Sequence, residues 1–140
     1  MQSFRTLLAV LLAVGSLHAI AADDVLYQDL GGAAGIRRIV ADLLPALQAD
    51  TRINASFDGV DLENLAEKLE EQFCEISGGP CRYSGKDMQT IHEDLALNQA
   101  HFNALVEDLQ SAMERNRVPS RVQNRLLARL APMQRDVVTK

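Results

Sequence analysis

Two sets of residues in this chain of 140 could do chemistry. The first is a histidine. Met88, Ile91, His92 and Leu95 fall at offsets 0, 3, 4 and 7, the spacing of one helical face, so the imidazole points where the apolar residues point. One reading is a core histidine whose ring nitrogens find backbone partners. The other is a neutral imidazole offered to a metal from an apolar wall, which is what a haem iron takes from one side. On a helix, its Nδ1–H can reach the carbonyl one turn back, at Met88, which fixes the tautomer and leaves Nε2 for a metal. Spacing alone does not choose between the two. The second set is Cys74 and Cys81, seven apart around Glu75-Ile76-Ser77-Gly78-Gly79-Pro80. Whether they pair depends on the compartment.

The N-terminus speaks to that. Arg5 is followed by the apolar stretch Thr6 to Val14, then Gly15-Ser16 and Ala19-Ile20-Ala21, with small residues at −3 and −1 of a cleavage site. A charged start, a short apolar centre and an A-x-A end describe a secretory signal peptide over residues 1–21, leaving one domain over 22–140. A membrane anchor is the alternative. The apolar run is shorter than the roughly 18–20 residues needed to span a bilayer, so no membrane association is expected after cleavage. The expected location is the periplasm. In an oxidising compartment, an even and closely spaced cysteine pair reads as a disulfide, contributing ~2–3 kcal/mol. A metal pair or reactive thiols are the rival readings. They are weakened because the spacing is not C-x-x-C and His92 is the nearest histidine in sequence.

Composition removes other classes. Apolar types make up 47% of the chain and charged types 24%, enough for a packed core and too little bias for disorder. Lys and Arg number 14 against 19 Asp and Glu, and without Arg5 the balance is 13 against 19, or −6. An acidic chain with no basic run, no Trp and six aromatics is a poor nucleic-acid binder.

The elements that must position these residues all read as helix. A short helix from Asp24 to Leu30 stops at Gly31-Gly32. Ile36, Ile39, Val40, Leu43, Leu44 and Leu47 then form a one-faced stripe, with Pro45 expected to kink or shorten it. Asp61 should cap a helix carrying Leu62, Leu65, Ala66, Leu69, Phe73 and Ile76, ended by Gly78-Gly79-Pro80. A short helix spans about Asp87 to Leu95. Asn98 caps a longer one with Phe102, Leu105, Val106, Leu109 and Met113 inward, and Val118-Pro119-Ser120 opens the last. No window alternates as a strand does, so the expected fold class is all-α.

From Leu26 to Val138 the ordered set of motifs resembles the truncated haemoglobins of group 1. The resemblance is carried by Leu26-Tyr27-Gln28-Asp29-Leu30-Gly31-Gly32, by Phe57 in Ile53-Asn54-Ala55-Ser56-Phe57-Asp58, and by the run from Gly78 to Met88. It continues through Met88-Gln89-Thr90-Ile91-His92, His101-Phe102 and Leu130-Ala131-Pro132-Met133. It implies a two-over-two helical sandwich around one haem, with His92 as the proximal iron ligand. Leu44, Phe57, Leu65, Leu69, Phe73, Met88, Leu95, Phe102 and Val106 would line the slot, and Arg82, Tyr83 and Lys86 would lie where the family meets the haem propionates. An ordinary solvated turn is the alternative for those three. His101 is expected on the flanking surface. No C-x-x-C-H motif is present, so the haem should be b-type, one per chain and non-covalent.

The chain departs from the family on the distal side, where Leu44 and Leu69 replace the usual Tyr and Gln and Leu65 is also apolar. Losing such hydrogen bonds weakens oxygen binding by roughly 10- to 100-fold, which argues against nitric oxide dioxygenation. Lys68 borders this face. As a neutral amine it could take the sixth coordination position. The alternative is an outer-face lysine paired with Glu71 or Gln72. The expected function is reversible binding of oxygen, nitric oxide or carbon monoxide. A six-coordinate redox protein with an unidentified partner is an alternative, and so is a haem-free helical interaction module.

Overall fold

The computed structural model describes residues 22–140, and the expected signal segment lies outside them. Among the described residues there are seven α-helices and no strand: α1 (Ala22–Asp29), α2 (Gly32–Ala49), α3 (Leu62–Ile76), α4 (Met88–His92), α5 (Gln99–Arg115), α6 (Ser120–Leu130) and α7 (Gln134–Val137). Short 3-10 turns at Asn54–Phe57 and Ala131–Met133 join them. The expected all-α class is the observed one.

Helix α2 is the centre. Its stripe of Ile36, Ile39, Val40, Leu43 and Leu47 is buried, and it packs on α3 along one side and α5 along the other. Leu26 and Leu30 close one end, while Phe73, Leu109, Ala112, Met113, Val122 and Leu126 complete one continuous core. Each of the larger side chains contributes roughly 1.5–3 kcal/mol by leaving water. Pro45 does not end α2, which runs on to Ala49. Proline removes one ladder hydrogen bond, but Leu43 and Leu47 on either side are buried and hold the last turn against the core.

Local chemistry sets the helix ends. The Asp61 carboxylate accepts the Glu63 and Asn64 amides and so starts α3. Asn98 accepts the His101 amide while the His101 ring accepts the Asn98 amide, a reciprocal cap that starts α5. Between α1 and α2, Gly31 and Gly32 both take positive φ, 89° and 63°, which only glycine does without strain. After α3 the constraint is space. A Cβ on Gly79 would lie 2.6 Å from Cys74 Sγ and 2.6 Å from the Tyr27 ring.

That crowding accompanies a cross-link. Cys74, buried on α3, is bonded to Cys81, with their Cα atoms 5.7 Å apart. The disulfide and the Tyr27 amide, which donates to the Ser77 carbonyl at 3.0 Å, hold the end of α3 to its neighbours. The chain then runs without helix to Asp87, which caps α4. Removing the cross-link by Cys74→Ala with Cys81→Ala should cost ~2–3 kcal/mol and lower Tm by on the order of 10 °C. A thermal melt followed by circular dichroism, with and without reductant, checks this. Wild type should fall towards the variant when reduced, and the variant should not respond.

Candidate functional site

Short α4 carries His92. Its start is fixed by Asp87, whose carboxylate accepts the Thr90 amide at 2.9 Å and the Thr90 hydroxyl at 2.7 Å. Those two donors hold the Asp87 carboxyl below its usual range. One turn on, His92 Nδ1 lies 2.6 Å from the Met88 carbonyl oxygen. A carbonyl can only accept, so Nδ1 carries the hydrogen, and in the neutral form of the ring the lone pair is on Nε2. The ring is half-buried and lines a cavity.

The cavity lies between α3, α4 and the first half of α5, with α2 and the chain after α6 behind it. Counted out to its open mouth, solvent-open space included, it measures about 1140 Å³. Phe57, Leu65, Leu69, Phe73, Tyr83, Met88, Leu95, Phe102 and Val106 line it, as the sequence led us to expect. Leu44 does not. It packs on the core, and Leu43 and Leu47 of the same helix face the cavity with Leu105, Leu130 and Met133. Of the loop residues, Tyr83 alone lines it, its hydroxyl donating to the Lys86 carbonyl at 2.8 Å. Arg82 is exposed beside Glu75, and Lys86 is exposed.

Lys68 lines the cavity too, but its amine has other partners. It donates to Ser84 Oγ at 2.6 Å and to Glu71 at 3.2 Å, and lies 3.5 Å from Glu67. Burial pulls its pKa down, yet the Glu71 hydrogen bond and the two carboxylate charges outweigh that, and the net shift is upward. The ammonium form is favoured, the opposite of what a metal-binding amine needs. Pairing with Glu71 is the outer-face arrangement that the sequence left open.

Besides these aliphatic residues, His101 and Gln72 of the cavity wall escaped the sequence reading. His101 is half-buried against the cavity rather than on the flanking surface, because its reciprocal cap with Asn98 turns the ring back along α5. Gln72 is buried at 8% exposure and lines the cavity from α3. The signal for Gln72 was present: it stands seven residues after Leu65 and three after Leu69, on their face of the helix.

The donor set limits what can bind here. Among the described residues no three His, Cys, Asp or Glu side chains converge on a metal position. His92 can supply one nitrogen, and the surrounding wall is apolar. A metal held here must therefore bring its other ligands with it inside a flat apolar frame, and haem iron does so. The residues present fit that group.

Comparison with known proteins agrees. Residues 25–139 match the family model described as "Bacterial-like globin". A group 1 truncated hemoglobin of Tetrahymena thermophila is 30% identical over 88 residues, covering 63% of this chain and 73% of that protein. One from a Nostoc species is 29% identical over 117 residues, covering 84% and 99%. The crystal structure of the Tetrahymena pyriformis truncated hemoglobin in its Fe(III) form superposes with a TM-score of 0.79 at 25% identity, over 82% of this chain and 98% of that one. That of the Synechococcus 2/2 hemoglobin, in the cyanomet state with covalently attached heme, gives 0.77 at 26% identity over the same shares. The two-over-two sandwich is the fold.

The loop between α3 and α4 is tied to α3 chiefly through Glu71. Its carboxylate accepts the Ser84 amide at 2.8 Å and the Ser84 hydroxyl, and pairs with Lys68. These contacts, the Ser84 amide first, hold its pKa below the ordinary value of 4.5, while that of Lys68 stands above 10.5. The Glu71 contribution is complete above its ordinary pKa and is lost as pH falls through the lowered one. That of Lys68 is complete below its ordinary pKa and is lost as pH rises through the raised one. Glu71→Gln should therefore speed amide hydrogen exchange at Ser84 at pH 7 roughly tenfold, the effect of about one lost hydrogen bond. Lowering the pH through the acid range should weaken Ser84 protection in wild type and change it little in the variant, as read by NMR.

Proposed function

Because the chain belongs to the bacterial-like globin family, among its group 1 truncated haemoglobins, we propose that it holds one haem b non-covalently and reversibly binds diatomic gas ligands outside the cytoplasm. One observation carries the reading: His92 is locked by the Met88 carbonyl with its Nε2 lone pair available on an apolar cavity wall. That nitrogen is the proximal iron ligand. Phe57, Leu65, Leu69, Phe73, Leu95, Phe102 and Val106 hold the porphyrin faces and keep water out. When bound, the haem supplies an iron with one position for a small ligand. The chain's residues supply its anchor, its orientation and its dry surroundings. Both cysteines of the sequence are joined to each other, which leaves no thiol for a thioether to haem and supports the non-covalent reading. The same disulfide supports export to the periplasm through residues 1–21, since such bonds persist in oxidising compartments.

The leucines at 65 and 69 offer a bound ligand no hydrogen bond, so this protein suits release and exchange of gases better than tight oxygen storage or nitric oxide dioxygenation. The six-coordinate redox reading requires Lys68 to leave Ser84 and Glu71 and to lose a proton whose affinity those neighbours raise. An open sixth position with Lys68 bracing the loop fits its partners better.

Purified, haem-reconstituted protein should show a Soret band at one haem per chain. His92→Gly should lose that stoichiometry and recover it with added imidazole, whereas His101→Ala should keep it. A wild-type chain without a Soret band would leave the haem-free helical module. The ferric spectrum should stay high-spin from about pH 6 to pH 10, below the ordinary lysine pKa, and Lys68→Ala should leave it unchanged. A low-spin wild-type spectrum that becomes high-spin in the variant would make Lys68 the sixth ligand.

A further inference from the structure

Three polar side chains are buried among the described residues, and they are satisfied unequally. The Ser77 hydroxyl donates to the Cys74 carbonyl at 3.1 Å, and Gln123 Nε2 donates to the Val118 carbonyl at 2.9 Å. Gln72 is different. Its Nε2 reaches only two thioether sulfurs, Met88 Sδ at 3.3 Å and Met133 Sδ at 3.6 Å. Sulfur of this kind is a weak acceptor, so a strong amide donor is buried with little to hold it. An isolated buried amide without a good partner destabilises a fold, so each such group in a native protein calls for a specific reason, a catalytic or binding role among them. This one lines the cavity, on the same face of α3 as Leu65 and Leu69 and one turn beyond the latter.

We infer that Gln72 is the polar contact for the ligand in this largely apolar cavity: its Nε2–H leaves the methionine sulfurs and donates to the diatomic ligand. This rests on the haem reading above. The donors that leucines replace at positions 44 and 69 are then resupplied from position 72, and the two methionines serve as a weak parking place for the amide while the cavity holds no ligand. A thioether suits that role because an oxygen acceptor would bind the amide too firmly to be given up.

The test uses two substitutions with opposite expected effects on the haem-loaded full-length protein. Gln72→Met keeps the volume and removes the donor. It should speed oxygen dissociation about tenfold and move the carbon monoxide stretching band to higher wavenumber. Met88→Leu keeps the Met88 carbonyl and removes one sulfur acceptor. It should free the amide, slow oxygen dissociation and move the band to lower wavenumber. Unchanged rates and unchanged bands in both variants would overturn the inference and make Gln72 a packing residue. A Gln72→Met effect on melting temperature alone, without a band shift, would do the same. A wild-type protein that takes up no haem would instead refute the reading on which the inference rests.

Discussion

A largely apolar cavity inside a small helical domain imposes one constraint on everything around it: polar groups on its wall must be held by the protein itself. Most of this molecule's local structure answers that demand. His92 gives its Nδ1–H to Met88, Tyr83 gives its hydroxyl hydrogen to the Lys86 carbonyl, and Lys68 is held by Ser84 and Glu71. The His101 ring accepts the amide of Asn98. Apart from Gln72 and Ser56, the rest of the wall is apolar. A cavity built this way accepts a large flat apolar group without leaving unpaired charges, and it leaves one nitrogen lone pair, on His92, to fix that group's metal.

The same constraint explains why so short a helix as α4 can carry His92 in a fixed orientation. Five residues form no stable helix alone, since nucleation is costly and each turn adds few hydrogen bonds. Here the helix is fixed from both sides of its sequence. Asp87 caps its start, and the loop before it is anchored by the Cys74–Cys81 bond and by Glu71. After it, the Leu97 carbonyl accepts the amides of Thr139 and Lys140, so the chain's last residues close over the exit from α4. The position of His92 is thus a property of the α3–α4 loop and residues 139–140 together. Changes at Glu71 or in the disulfide should reach His92 through this route, though neither lines the cavity.

Charge is distributed in keeping with this division. The net-acidic surface carries its ion pairs at the edges of the helices, as in Arg52 with Asp50 and Arg125 with Asp29. Arg52 holds the Asp50 carboxyl down at about 2. Such exposed pairs add little stability each. They do fix the ends of segments whose interiors are held by packing.

Much of this was legible in the chain. Helical periodicity placed the stripe of α2 and the faces of α3 and α5, because it is a local property of residues three and four apart. Caps at Asp61 and Asn98, the turn at Gly31-Gly32, the apolar face of His92 and the pairing of Cys74 with Cys81 were likewise readable, since each needs partners within one or two turns. Tertiary packing decided the rest. It set the partner of Lys68, since Ser84 lies sixteen residues away and comes near only when the loop folds back. Packing also selected Leu43 and Leu47 rather than Leu44 for the cavity, a matter of how α2 is rotated against two neighbours at once. The environment of Gln72 was decided there as well, because its contacts to Met88 and Met133 join α3 to segments sixteen and sixty-one residues distant. Sequence placed that amide on the face of Leu65 and Leu69; only the assembled core left it without an oxygen to bind.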